Sequence, residues 1–162
     1  FSERASGALT SGLLVLSGSD AGGRRAFGGG LAVDLWRSFG ALRLGMYTGL
    51  QIVGGTDSQA LVFTPLASSL AVVLDAERTS FEVRIRAGGY AGAAHDRAFL
   101  GGLYLGTGVF LNFALSDHAA LGIGGELHLL IGSNQSRDVD SRAFFSPSIT
   151  LIYRPSRPRR DP

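Results

Sequence analysis

Glu126 and His128 stand two residues apart in Glu-Leu-His, a spacing that puts both side chains on one face of an extended strand. A carboxylate beside an imidazole is a pair that general acid–base chemistry uses, and Glu82 is a third member if its strand lies near. The same residues serve as members of a buried polar network, and that reading is preferred, because both belong to one side of a long strand pattern. Ser116-Asp117-His118 holds the residue types of a nucleophilic triad. Neighbours in an extended turn do not converge as a triad, however, and turn chemistry explains Ser-Asp better. His95 and Asp96 fall in a polar stretch and read as a solvated loop. Three His, no Cys and no tight ligand spacing argue against a metal site. Gly28-Gly29-Gly30 leads into strand-like sequence and opens no helix, so it is not a phosphate loop. No catalytic, cofactor-binding or metal-ligating residue is assigned, and no cofactor is expected.

The elements that carry these residues are strands. In residues 41–52, Leu42, Leu44, Met46, Leu50 and Ile52 fall on one side of an extended chain, and Arg43, Gly45, Tyr47, Gly49 and Gln51 on the other. Only a strand has this period of two. Seven further segments follow suit: Gly7–Leu16, whose phase is unclear, Phe27–Trp36, Leu66–Leu74, Phe81–Tyr90, Phe99–Phe113, Leu121–Ile131 and Phe145–Tyr153. Each runs roughly 9–15 residues, near the length a tilted strand needs to cross a bilayer and longer than ordinary soluble strands. No segment fits a helical period better, and no run of about 18 apolar residues offers a transmembrane helix.

Composition narrows the classes further. The 162 residues suffice for one domain, and 45% of them are hydrophobic, so the chain is not disordered. Twenty-four Gly spread through strand segments suggest tight corners and close packing against aromatics. The absence of Cys excludes disulfides and thiolate chemistry. All 15 basic residues are Arg. The net charge of +2 is a tail effect: residues 154–162 carry +3, leaving −1 on residues 1–153. No basic face supports a nucleic-acid partner. No charged n-region and apolar h-region open the sequence. A membrane barrel needs an export signal, so one is expected to have preceded these residues.

The faces decide the orientation. The apolar faces of strands two to eight carry no Asp, Glu, Arg or His, whereas the opposite faces hold Asp34, Arg43, Glu82, Arg84, Arg86, Glu126 and His128. An Arg on a lipid-facing surface at the bilayer midplane costs about 2–4 kcal/mol. Three acids balance three Arg, which suits a narrow lumen, where unpaired charge is expensive. Asp34 and Arg43 flank the turn at Arg37–Gly40 and are expected to face each other across that hairpin. Small residues such as Gly28, Gly30, Gly45, Gly49, Gly106, Gly108, Gly122 and Gly124 leave room for Trp36, Tyr47, Tyr90, Tyr104 and Phe110. The aromatics Phe27, Phe99 and Phe145 sit at one rim of the apolar face, and Phe81, Phe113 and Tyr153 at the other, as two interfacial girdles. Phe63 is out of phase with the first girdle unless Pro65 marks a bulge.

Connections alternate in length. Arg37–Gly40, Asp75–Arg78 and Ser116–His118 are short, while Ser17–Ala26, Gly54–Ala60, Gly92–Ala98 and Ser133–Arg142 are longer and polar. This asymmetry predicts an all-β, eight-stranded antiparallel up-and-down transmembrane β-barrel over residues 1–153, in the bacterial outer membrane, with both termini periplasmic. Residues 154–162 form a Pro/Arg-rich tail.

The chain resembles small eight-stranded outer-membrane barrels of the OmpA/OmpX type across about residues 7–153. Ile149, Leu151 and Tyr153 look like that family's C-terminal assembly signal, which implies the barrel-assembly machinery as a partner during insertion. The tail looks like the linker that in OmpA-like proteins leads to a cell-wall-binding domain. No cell-wall-binding sequence is present here, so that activity is not carried over. The expectation is a non-enzymatic barrel of the Gram-negative envelope. Its lumen is blocked by the charge network, its lipid partners are those of the outer membrane, and residues 17–26 and 133–142 are the places for an extracellular partner. The alternatives are a membrane-embedded lipid-modifying enzyme and a soluble, lipocalin-like ligand-binding barrel with its apolar face inward.

Overall fold

The structure, a computed structural model, describes residues 6–19, 25–55, 60–94, 97–133 and 139–153. They form eight strands: β1 (Ser6–Ser19), β2 (Arg25–Phe39), β3 (Leu42–Gly55), β4 (Ala60–Ala76), β5 (Thr79–Ala94), β6 (Arg97–Ala114), β7 (Ala119–Ser133) and β8 (Val139–Tyr153). Each strand pairs antiparallel with the next, and β1 pairs with β8 to close the barrel. The register that the sequence leaves open for β1 is set on both sides, with Leu9 opposite Leu35 of β2 and Tyr153 of β8.

The orientation is inside-out. Leu31, Leu35, Met46, Leu66, Leu74, Ile85, Val109, Ile123 and Ile149 are among the large apolar side chains exposed on the outer face. Asp34, Glu82, Arg84, Arg86 and Glu126 are buried inside. In β4 the alternation is unbroken from Ala60 to Val73, save a half-buried Leu70. A soluble barrel with its apolar face inward would show the opposite pattern, so the lipocalin-like alternative does not describe this molecule.

The strands exceed the lengths read from sequence, running to between 14 and 18 residues. About 9–11 residues cross the hydrocarbon core, so the strands project beyond it. The extra length lies mainly at the end opposite the chain termini, where the outward residues, Val62 apart, are mostly polar, Gly or Ala. The expected loop asymmetry is correspondingly weaker. Strands β5 and β6 are separated by residues 95–96, no more than the two-residue turns at Gly40–Ala41 and Glu77–Arg78. Gly40 has φ +62°, the left-handed conformation that tight hairpins favour and Gly accepts without strain. Glu77 takes φ +27° at the corresponding place in its turn.

Both strand prolines interrupt one ladder each. The β3–β4 pairing lapses between Thr48–Leu66 and Gln51–Phe63, around Pro65. The β1–β8 pairing lapses between Leu14–Ser148 and Ser17–Phe145, around Pro147. Pro has no N–H to give the neighbouring strand. Neither lapse shifts the register, so Pro65 marks no bulge. Phe63 therefore keeps its phase and points into the lumen, 1% exposed, rather than joining a girdle. The register does shift between Gly92 and Ala94, on β5 opposite β6.

Candidate functional site

The lumen is where the buried ionisable side chains converge among the described residues. Alternation delivers Asp34 from β2, Arg43 from β3, Glu82, Arg84 and Arg86 from β5, and Glu126 and His128 from β7, all of them buried. Arg43 Nη1 donates to Glu82 Oε2 at 2.8 Å. The other Glu82 oxygen accepts from Arg84 Nε at 2.8 Å and Nη2 at 2.5 Å. Arg84 Nη1 reaches Asp34 Oδ2 at 3.3 Å, and Arg86 Nη2 meets the same oxygen at 2.5 Å. Arg86 Nη1 also pairs with Glu126 Oε1. The ions thus form one chain, Arg43–Glu82–Arg84–Asp34–Arg86–Glu126, with charges alternating in sign. Buried charge is tolerable only when every member has a partner of opposite sign and its remaining donors are satisfied.

Neutral groups fill in around it. Ser69 Oγ donates to Asp34 Oδ1 at 3.0 Å and accepts from Arg86 Nε at 3.3 Å. Asn112 Nδ2 lies 3.4 Å from Glu82 Oε2. The Arg84 guanidinium sits 5.0 Å from the Trp36 ring and 4.3 Å from the Phe110 ring, and that of Arg86 lies 3.7 Å from the Tyr47 ring. Planar cations stacked on aromatic faces gain attraction while staying dry. Close approach of the glycines makes this possible. A Cβ at Gly45 would stand 2.8 Å from the Trp36 ring, and one at Gly124 would meet the ring of Phe110.

The hairpin pairing expected of Asp34 and Arg43 is not what the structure has. The β2–β3 register sets Asp34 opposite Tyr47 and Arg43 opposite Ser38, so the two residues are two lumen positions apart. Asp34 is held by Arg84 and Arg86 instead, and Arg43 reaches Glu82.

Above the ion chain, toward the end away from the termini, the lumen turns aromatic and then apolar. Tyr47 and Tyr104 stack at 5.7 Å, Tyr104 Oη lies 2.7 Å from His128 Nδ1, and Gln51 Nε2 donates to Tyr47 Oη at 2.7 Å. Glu126 Oε1 is 3.9 Å from His128 Nδ1. Beyond them Val53, Leu61, Phe63, Leu130 and Phe144 form a buried lid, with Phe63 stacked on Phe144 at 6.4 Å and edge-on to Tyr90 at 6.1 Å. This lid is absent from the sequence reading. Its signal was present in apolar doublets such as Ile52-Val53, Leu129-Leu130 and Phe144-Phe145: adjacent strand residues face opposite ways, so one of each pair must point inward.

Outside, Phe27 and Phe145 are exposed at one rim, and Phe81, Phe113 and Tyr153 at the other. The side chain of Phe99 lies outside the described residues, as do His95, Asp96, much of the stretches 17–26 and 133–142, and the tail. In the β6–β7 turn the His118 backbone N–H donates to Ser116 Oγ at 3.3 Å, a turn hydrogen bond. Among the described residues no group of three or more His, Cys, Asp or Glu is placed to hold a metal ion.

No protein-family model matches the chain, and no curated protein matches it in sequence. Solved structures do match in fold. Neisserial surface protein A superposes with a TM-score of 0.68 at 13% identity, covering 93% of this chain and 99% of that one. Ail, the attachment invasion locus protein of Yersinia pestis, gives 0.57 at 11% identity over 93% of this chain and 98% of its own, in a complex with the heparin analogue sucrose octasulfate. The outer membrane enzyme PagL gives 0.50 at 14% identity, over 88% and 98%. The chain has the fold of the small outer-membrane β-barrels.

Proposed function

We propose that this chain is an integral outer-membrane barrel with a closed lumen, acting through structure or surface contacts and neither as a general porin nor by catalysis. One observation carries the reading: the outer face is an apolar belt, while the lumen holds a charge-alternating ion chain topped by an apolar lid. Such a belt is stable against lipid, and an eight-stranded lumen is narrow enough for its own side chains to fill. Similarity in fold to Neisserial surface protein A and to Ail supports a surface role. Residues 17–26 and 133–142 remain the proposed sites for an extracellular partner, and both termini are proposed to be periplasmic. The lumen residues Asp34, Arg43, Glu82, Arg84, Arg86, Glu126 and His128 serve as the plug, and Phe27, Phe81, Phe99, Phe113, Phe145 and Tyr153 as lipid-interface aromatics.

Two measurements test this. The protein should need detergent for extraction and show a gel band whose mobility changes on heating. In planar bilayers it should show no large, stable conductance, and nanosiemens-scale openings would overturn the closed lumen. PagL keeps a second reading in view, that of a membrane-embedded lipid-modifying enzyme. Incubation with lipopolysaccharide or phospholipid, followed by mass spectrometry, should leave the lipids unchanged, and a shift of one acyl chain would establish the enzyme instead.

A further inference from the structure

The ion chain pairs the charges of the lumen, and among the described residues seven buried polar atoms are left without a hydrogen-bond partner: Trp36 Nε1 and Gln51 Oε1 stand apart on β2 and β3, and the other five form one run over β6, β7 and β8. Ser146 Oγ, Ser148 Oγ and Thr150 Oγ1 are successive lumen positions on β8, at most 5% exposed, and none has a hydrogen-bond partner among the described residues. Opposite them on β7 stand Glu126, Gly124 and Gly122. Two of the three hydroxyls therefore face a residue without a side chain. Asn112 Oδ1 is also unpartnered, and it shares the space over Gly122 with Thr150 Oγ1, since a Cβ at Gly122 would run into both. Asn112 in turn lines a recess of about 150 Å³ at the barrel mouth nearest the termini, with Ser80, Asp75, Arg78 and Ser116 around it. At the far end of the row, His128 Nε2 is a fifth unpartnered atom. The next lumen positions are Leu130 on β7 and Phe144 on β8, which belong to the lid.

Buried polar atoms in folded proteins are nearly always hydrogen-bonded, and where no protein group reaches them ordered water does. A row of such atoms that begins beside an open polar recess and stops at an apolar wall outlines a path for solvent. We propose that the lumen holds a file of bound water along β8, continuous with the mouth at Asn112 and ending blind beneath Leu130 and Phe144. The β8 side of the lumen is then wet from the terminal side up to His128, and the apolar lid, in addition to the ion chain, separates that water from the opposite face. The proposal builds on the closed-lumen reading. Conductance of the unsubstituted protein tests the closed lumen, and the experiment below tests the water file.

The chain contains no Cys, so single thiols report without background. Ag⁺, a cation small enough to follow a water file, binds a thiol by displacing its proton to form a thiolate–silver bond. Ser146→Cys, Ser148→Cys and Thr150→Cys are each refolded into lipid vesicles and exposed to Ag⁺. The remaining free thiol is then counted with N-ethylmaleimide after unfolding. The three seam thiols should react within an order of magnitude of exposed Ser116→Cys, and the lid thiol Val53→Cys two orders of magnitude more slowly. Seam thiols as slow as Val53→Cys would overturn the proposal, and so would a lid thiol as fast as the seam. Variants enter the comparison only if they keep the heat-dependent gel shift. The unsubstituted protein gives a second test by solid-state NMR in lipid: amides of Gly122, Gly124 and Ser148 should show cross-peaks to bound water, and their absence at all three would overturn the file.

Discussion

Arg86 bridges two carboxylates from different strands, Asp34 and Glu126, and stacks on Tyr47. Arg86→Ala leaves Glu126 without its Arg and Asp34 with Arg84 alone inside the lumen, and should lower the unfolding free energy in vesicles by about 3–5 kcal/mol. Urea titration followed through the fluorescence of Trp36, the single Trp, reads this directly. Arg43→Ala should cost less, because Glu82 keeps Arg84. At this scale the sequence was legible in kind and illegible in pairing. Alternation alone put all seven ionisable residues on the inward side. Which acid meets which Arg depends on register and strand tilt. A turn of two residues at Gly40–Ala41 places Arg43 opposite Ser38, and the expected contact with Asp34 disappears.

At the scale of the strand, position along the bilayer normal sets the penalty. Leu31 lies midway along the outer face of β2 and is exposed, whereas Leu74 sits near the terminal-side rim on β4. Leu31→Arg should therefore cost about 2–4 kcal/mol in vesicle unfolding, and Leu74→Arg about 0–1 kcal/mol. Equal losses at the two sites would argue against a membrane-facing belt. Glu77 holds a left-handed φ in a hairpin where its counterpart is Gly40, so Glu77→Gly should raise the unfolding free energy by about 1 kcal/mol. The existence and phase of the strands were readable from period two, and their ends were not. Beyond the lipid belt the outward positions, Val62 apart, become mostly Gly, Ala and polar, and the alternation fades while the hydrogen-bonded ladder continues. The same fading hid the lid. Val53 and Leu61 lie past the ends read from the pattern, and Leu130 was masked by its apolar neighbours Leu129 and Ile131.

For the whole molecule, the joining of β8 to β1 completes the barrel, and Tyr153 pairs with Leu9 at one end of that ladder. If Ile149, Leu151 and Tyr153 act as an assembly signal, Tyr153→Ala should reduce the amount inserted in the outer membrane of cells severalfold. Refolding of the purified variant into vesicles should stay close to that of the unsubstituted chain. A comparable loss in both settings would assign Tyr153 to stability alone. The closing ladder also has a bearing on time. Every other strand pair joins neighbours in sequence, but β1 and β8 come from opposite ends of the chain, and their ladder is split into two runs around Pro147. Bringing distant ends together carries the largest loop-closure entropy, and here the reward arrives in two shorter pieces. Closure should then be the slow event in this protein's folding. Until it happens the sheet has two open edges, and a chain halted before β8 has no second-best ring to settle into.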